Sequence, residues 1–142
     1  SLKSKSDLVI AENGLFQRFD SVSSVGHHLM NVTCSIGLDH LDWLPENKKN
    51  IDQIILEKTS NIKSSNIIVS KQSDNKILNK IEKSIENNPA NKIIFEKNYT
   101  YEINKNGFLY KDEFGKLQLP IPRLKGEHQI SNTACAISAV RN

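Results

Sequence analysis

The sequence has 142 residues, of which 25% are charged and 37% hydrophobic, and its formal net charge is +3. This length corresponds to one domain with a buried core. No stretch approaches the roughly 18 apolar residues of a membrane span, and no secretory signal is recognisable at the start. We therefore predict no membrane partner. The lysines are dispersed rather than clustered, which favours a solvated surface over a nucleic-acid interface.

The two cysteines, Cys34 and Cys135, lie in apolar segments without the spacing of metal ligands. Unpaired cysteines in such segments are usually small core residues, and proteins without a disulfide framework are typical of reducing compartments. The sequence therefore predicts two reduced thiols and a cytoplasmic location.

Three short apolar runs have the pattern of strands that are buried on both faces of a parallel sheet. They are Leu8–Ala11, Leu29–Ile36 and Ile67–Ser70. Apolar residues at helical spacing predict a helix that begins near Pro45 and another that is capped by Ser73 or Asp74. The order strand, strand, helix, strand, helix predicts an α/β fold with a mostly parallel sheet and covering helices.

The pattern changes after Lys92. A strand at Ile93–Phe95, alternation over Tyr99–Ile103 and the turn signal Asn106-Gly107 predict a small antiparallel β section. A final helix is predicted over His128–Val140, with small and apolar residues towards a core.

One segment near the middle of the predicted sheet combines acids and a histidine. Ser35–Leu44 reads Ser-Ile-Gly-Leu-Asp-His-Leu-Asp-Trp-Leu, and Glu57-Lys58 follow on the next predicted helix. This pattern resembles the central ATPase domain of the folylpolyglutamate synthase/dihydrofolate synthase family, within the Mur ligase superfamily. Glu12–Ser21 resembles that family's Glu-x-Gly-Leu-Gly-Gly-Arg-Leu-Asp-Ala, and Gly126–Ala136 its Gly-x-His-Gln-x-x-Asn-x-x-x-Ala.

The resemblance implies an ATP-dependent ligase. In such an enzyme the γ-phosphoryl group of ATP activates the carboxylate of dihydropteroate or a folate as an acyl phosphate, and the amine of L-glutamate displaces the phosphate. Magnesium ions would be held by Glu12, His40 and a carbamylated, catalytic Lys58. Carbamylation replaces a cation with an anion that has the oxygen donors magnesium prefers.

The resemblance also assigns binding roles. The pterin-bearing substrate would contact Phe19, Asp20 and Ser21, and ATP would contact Asn132. From residue chemistry alone, each candidate keeps an ordinary structural alternative. Glu12 is compatible with a solvated carboxylate, His40 with a structural histidine, Lys58 with a surface lysine, and Asn132 with a helix packed on a sheet.

Two features depart from the family pattern. Phe16-Gln17 stand where the family has two glycines, which leaves the shape of this loop open. No Gly-x-x-x-x-Gly-Lys-Ser/Thr phosphate loop occurs. The resemblance thus implies that residues 1–142 are a partial central ATP-binding domain, inactive alone, of an enzyme expected to be a monomer. The alternatives are a Mur-type peptidoglycan amino-acid ligase and a non-catalytic α/β binding module.

Overall fold

A three-stranded parallel sheet is the centre of the computed structural model, which describes residues 6–142. Its strands, in spatial order, are β1 (His28–Thr33), β2 (Ser64–Val69) and β3 (Asn91–Ile94). Two helices, α1 (Ile51–Thr59) and α2 (Asn75–Ile85), connect these strands. The remaining elements are a three-stranded antiparallel sheet of β4 (Tyr99–Asn104), β5 (Gly107–Asp112) and β6 (Gly115–Leu119), and a final helix α3 (His128–Arg141).

The central strand β2 contributes to two hydrophobic cores because its side chains alternate between the faces of the sheet. Ile67 and Val69 pack with the apolar faces of α1 and α2. Ile68, between them, packs with aromatic residues of the antiparallel sheet and with α3. All three residues are fully buried. The domain therefore has a layer on each face of the parallel sheet, and the predicted α/β fold with a small antiparallel section is confirmed.

The segment Leu8–Ala11 is not a strand, and its prediction is wrong. Leu8, Val9 and Ile10 are 66%, 64% and 90% exposed. An apolar run forms a strand only when a neighbouring strand hydrogen-bonds to its backbone N–H and C=O groups. Within residues 6–142, no strand pairs with this run. The apolar pattern alone could not show this, because it carries no information on pairing.

Several boundaries and one sheet assignment also differ from the predictions. Strand β1 ends at Thr33 rather than Ile36, and α1 begins at Ile51, after a short 3₁₀ turn, rather than near Pro45. The Asn50 side chain caps α1 by accepting the Gln53 N–H at 3.0 Å. Of the segment predicted as a strand at Ile93–Phe95, Ile93 and Ile94 belong to β3 in the parallel sheet, where Ile93 lies opposite Ile68, and Phe95 follows the strand and bridges to Tyr99. No helix among the described residues is long and apolar enough to cross a lipid bilayer.

Candidate functional site

Gln72 joins the chain segments that leave the carboxyl ends of β1 and β2. It is 7% exposed, and its Oε1 accepts the Ile36 N–H at 2.8 Å. Its Nε2 donates to the carbonyls of Ser70 at 2.9 Å and Cys34 at 3.3 Å. These three hydrogen bonds fix the start of the segment that leads to His40. The sequence pattern did not single out Gln72, although a glutamine shortly after a buried strand is a usable signal for such a role.

Glu12 and Lys58 both exert their charges on the Cys34 thiol, just after β1. Desolvation raises the pKa of Cys34, the positive charge of Lys58 lowers it, and the negative charge of Glu12 raises it. Such effects require nearby charges. Glu12 and Lys58 are therefore both near enough to influence the thiol that follows β1. Neither takes part in an ion pair within residues 6–142.

His40 follows the Gln72-bound segment and has a left-handed backbone with φ +57°. Its N–H donates to Asp39 Oδ1 at 2.8 Å, and its Nε2 lies 3.3 Å from Asp39 Oδ2. The Phe16 ring meets the imidazole edge-on, with centroids 6.0 Å apart. Since Phe16 is four residues from Glu12, this contact brings the segment that carries Glu12 next to His40.

A second contact holds the same segment against α1. Arg18 Nη1 lies 3.3 Å from Oε1 of Glu57, which also accepts the Gln53 Nε2–H at 2.7 Å. Glu57 is 7% exposed, so the pair is largely shielded from solvent on the helix side. Glu57 directly precedes Lys58. The segment after Glu12 is thus attached to the helix that carries the predicted catalytic lysine.

The predicted substrate-binding triplet lies on a short loop built from two 3₁₀ turns. Asp20 accepts the Gly14 N–H at 2.7 Å and the Val22 N–H at 2.9 Å, and these backbone hydrogen bonds lower the pKa of its carboxyl. Asp20 therefore shapes the loop. Phe19 is 84% exposed, with the Arg18 guanidinium 5.0 Å from its ring centroid, and Ser21 is also exposed. Contact between this triplet and a substrate stays a prediction.

Asn132 lies on an exposed part of α3, where its Nδ2 donates to Gln129 Oε1 at 3.3 Å. Helix α3 packs on the face of the sheet opposite α1 and α2. Among the described residues, no hydrogen bond or ion pair connects Asn132 with Glu12, His40 or Lys58. The predicted contact of Asn132 with ATP therefore has no geometric support from the other candidate residues.

A magnesium site built on the predicted ligands would need a modified Lys58. Residues 6–142 contain no group of three or more His, Cys, Asp or Glu side chains close enough to hold a metal ion. Glu12 and His40 supply one carboxylate and one imidazole. An ammonium group on Lys58 repels a metal cation, whereas a carbamate there supplies the additional oxygen donors that magnesium requires.

Comparison with solved structures shows which fold this is. A folylpolyglutamate synthase–AMPPCP complex has a TM-score of 0.71 and 21% identity, over 92% of this chain and 33% of that chain. Escherichia coli FolC in complex with DHPP and ADP has a TM-score of 0.72 and 26% identity, over 91% of this chain and 29% of that one. A Thermotoga maritima folylpolyglutamate synthase has a TM-score of 0.71 and 18% identity, over 91% and 29%.

The chain thus has the fold of part of a folylpolyglutamate synthase, in the Mur ligase superfamily, and the resemblance noted in its motifs is confirmed. It spans about a third of the length of the structures it matches. No protein-family model matches the sequence, and no curated protein is similar to it.

Proposed function

We propose that this chain is the central ATP-binding part of an ATP-dependent carboxylate–amine ligase. The reaction joins L-glutamate to dihydropteroate, to folates or to both, through an acyl phosphate. The observation that carries the proposal is the similarity to FolC in complex with DHPP and ADP, at 26% identity over 91% of the chain. The partners are small molecules, and the location that best suits folate synthesis and two reduced thiols is the cytoplasm.

The arrangement of charged groups supports this proposal. The Phe16–His40 contact and the Arg18–Glu57 ion pair bring the segment after Glu12 to His40 and to the helix of Lys58, and ligands of open α/β sheets bind at the carboxyl edge of the strands. Magnesium, when bound, neutralises negative charge on the transferring phosphoryl group. In the proposed site Glu12, His40 and a carbamylated Lys58 would hold the metal, and carbamylation would convert the lysine from a cation to an anionic ligand.

The remaining residues keep these groups in place. Gln72 fixes the segment before His40, and the Arg18–Glu57 ion pair attaches the segment after Glu12 to α1. Phosphoryl transfer depends mainly on positioning and charge stabilisation. Rigid attachment of both ligand-bearing segments to the sheet and to α1 is therefore what this chain contributes.

The carbamate is tested first on the 142-residue chain. With ¹³C-bicarbonate and Mg²⁺, we expect a carbamate carbon signal that disappears in Lys58→Ala and persists in Lys105→Ala, which removes a lysine at the hairpin turn. The signal is expected because a carbamate on Lys58 completes the metal donor set. A signal of unchanged intensity in Lys58→Ala would place the modification elsewhere and refute this role.

Turnover is tested in a polypeptide that contains these residues together with a phosphate loop. Lys58→Ala should reduce glutamate-dependent ATP hydrolysis at least about 100-fold, the lower range for loss of a charge-stabilising group. Added formate or acetate should restore part of the rate by supplying a carboxylate at the vacant position. Full activity of Lys58→Ala would end the proposal for this residue.

A further inference from the structure

The loop that carries Glu12 departs from the family pattern at Phe16 and Gln17, and both side chains have partners in the structure. Phe16 is partly buried against the hydrophobic core on the α1/α2 face of the sheet. Its ring stands edge-on to the His40 imidazole, with an interplanar angle of 85°. A glycine at position 16 has no side chain to make this contact. The contact with His40 is therefore a property of this chain's own sequence.

The residues that follow Phe16 attach it to regular secondary structure. Gln17 is 6% exposed, and its Oε1 accepts the Nδ2–H of Asn31, on β1, at 3.3 Å. Arg18 forms the ion pair with the buried Glu57 on α1. Phe16 is thus attached through its sequence neighbours to a strand and to a helix, and its own ring packs on the core.

Among the described residues, the polar contact of the His40 ring is with its own neighbour Asp39. Its left-handed backbone is uncommon for a residue other than glycine, and its side chain is 33% exposed. The polar neighbour of the ring is the carboxylate of Asp39, which is itself 72% exposed. An exposed carboxylate on the preceding residue does little to hold an imidazole in one orientation, because it moves with the same loop. Of the polar and aromatic contacts of this ring within residues 6–142, the edge-on contact with Phe16 is the one that comes from a part of the chain attached elsewhere.

We propose that Phe16 is a positioning residue for His40. Its ring holds the imidazole in the orientation that keeps Nε2 beside Asp39, and this orientation sets the affinity of His40 for a divalent cation. The second half of this statement rests on the proposed function, which makes His40 a metal ligand. The first half, the orientation of the ring, does not depend on it.

The test compares variants that separate the aromatic ring from apolar packing. Phe16→Leu and Phe16→Met keep an apolar side chain against the core but remove the ring, whereas Phe16→Tyr keeps the ring edge. Phe114→Leu serves as the control. It makes the same substitution at an exposed phenylalanine in the turn before β6. Far-UV circular dichroism and amide NMR spectra identify the variants that fold. If either Phe16→Leu or Phe16→Met does not fold, the other one is used in the comparison.

The first measurement is the nitrogen NMR spectrum of the His40 ring, together with its side-chain coupling constants. These report which ring nitrogen carries the proton and whether the ring has one orientation. We expect the wild type, Phe16→Tyr and Phe114→Leu to show one orientation with the proton on Nε2. In Phe16→Leu we expect averaged values. Unchanged ring signals in folded Phe16→Leu and Phe16→Met, or the same averaging in Phe114→Leu, would overturn the positioning role.

The second measurement uses Mn²⁺ as the probe, through paramagnetic broadening of the His40 ring signals. Partners that orient metal ligands typically contribute 10- to 100-fold to affinity. We therefore expect Phe16→Leu to need about tenfold more Mn²⁺ for the same broadening. If the ring loses its orientation but Mn²⁺ broadens His40 in neither protein, Phe16 positions His40 and the metal role in the proposed function fails. If affinity is unchanged although the ring has become disordered, the link from orientation to affinity is refuted.

Discussion

Replacing Gly107 with alanine should destabilise the antiparallel sheet more than the same change at Gly115. Gly107 begins β5 and has φ +127°, and an added Cβ would lie 2.0 Å from the Leu119 carbonyl oxygen and 2.9 Å from Pro120 Cα. These are backbone atoms of the neighbouring strand end, so they cannot rotate away. Gly115, which begins β6, has φ +119°, but nothing lies within 4 Å of the Cβ position.

Both variants therefore lose stability through backbone strain, and only Gly107→Ala also loses stability through a steric clash. Forcing an L-residue into such a backbone region costs about 1–3 kcal/mol, which applies to both variants. Overpacking against fixed atoms costs about 1–3 kcal/mol more, and this applies only at Gly107. We expect losses in the free energy of unfolding of about 2–6 kcal/mol for Gly107→Ala and about 1–3 kcal/mol for Gly115→Ala.

Urea denaturation followed by far-UV circular dichroism measures both losses. The slope of the unfolding free energy against urea should stay constant, so that a shift in midpoint reports stability. Gly37→Ala provides the baseline, because Gly37 has neither a positive φ nor an atom near its Cβ position. Equal stability of Gly107→Ala and Gly115→Ala would refute the steric part of this reasoning. Wild-type stability of both would refute the conformational part as well.

Two further predictions concern buried polar groups. Gln72→Leu should lower the free energy of unfolding by about 1–3 kcal/mol, because it leaves the buried Ile36 N–H without its acceptor. Urea denaturation should show a smaller loss for the exposed Gln118→Leu, and equal losses would contradict this role of Gln72. Desolvation is the largest single effect and raises the pKa of Asp112. The hydrogen bonds and positive charge of Arg141, together with Tyr110 and the Phe114 N–H, more than offset it, so the pKa lies below its ordinary value. Because a lowered folded-state pKa adds stability that is lost as pH falls, the advantage of the wild type over Asp112→Asn should shrink below about pH 4, and a constant difference in denaturation experiments across that range would contradict it.

Local signals in the sequence predicted much of the fold. The Asp74 cap of α2, the Asn106-Gly107 hairpin turn and the helix that begins at His128 all appear in the structure. Each depends on a few neighbouring residues: a side chain that accepts a helix N–H, a turn that needs a positive φ, or an apolar helix face. Such features form wherever the local chemistry favours them, so the sequence alone identifies them.

Features that depend on distant partners were not predictable in this way. Leu8–Ala11 has the composition of a strand, but no described strand pairs with it. The role of Gln72 requires β1 and β2 to be adjacent, and the Phe16–His40 contact requires a loop to return to a segment 24 residues away in sequence. Motif similarity nominated Glu12, His40 and Lys58. Their roles as metal ligands stay predictions.

The position of β2 between two cores has a consequence for how the domain opens. Ile67 and Val69 contribute to one core and Ile68 to the other, so neither core can separate from the sheet without exposing side chains of the same strand. Local unfolding that leaves β2 intact is therefore expected in peripheral segments, such as the loop from Glu12 to Val25 or the turn before β6. Complete exposure of the β2 amides then requires cooperative unfolding of both layers, and we expect the slowest-exchanging amide hydrogens of the domain to belong to this strand.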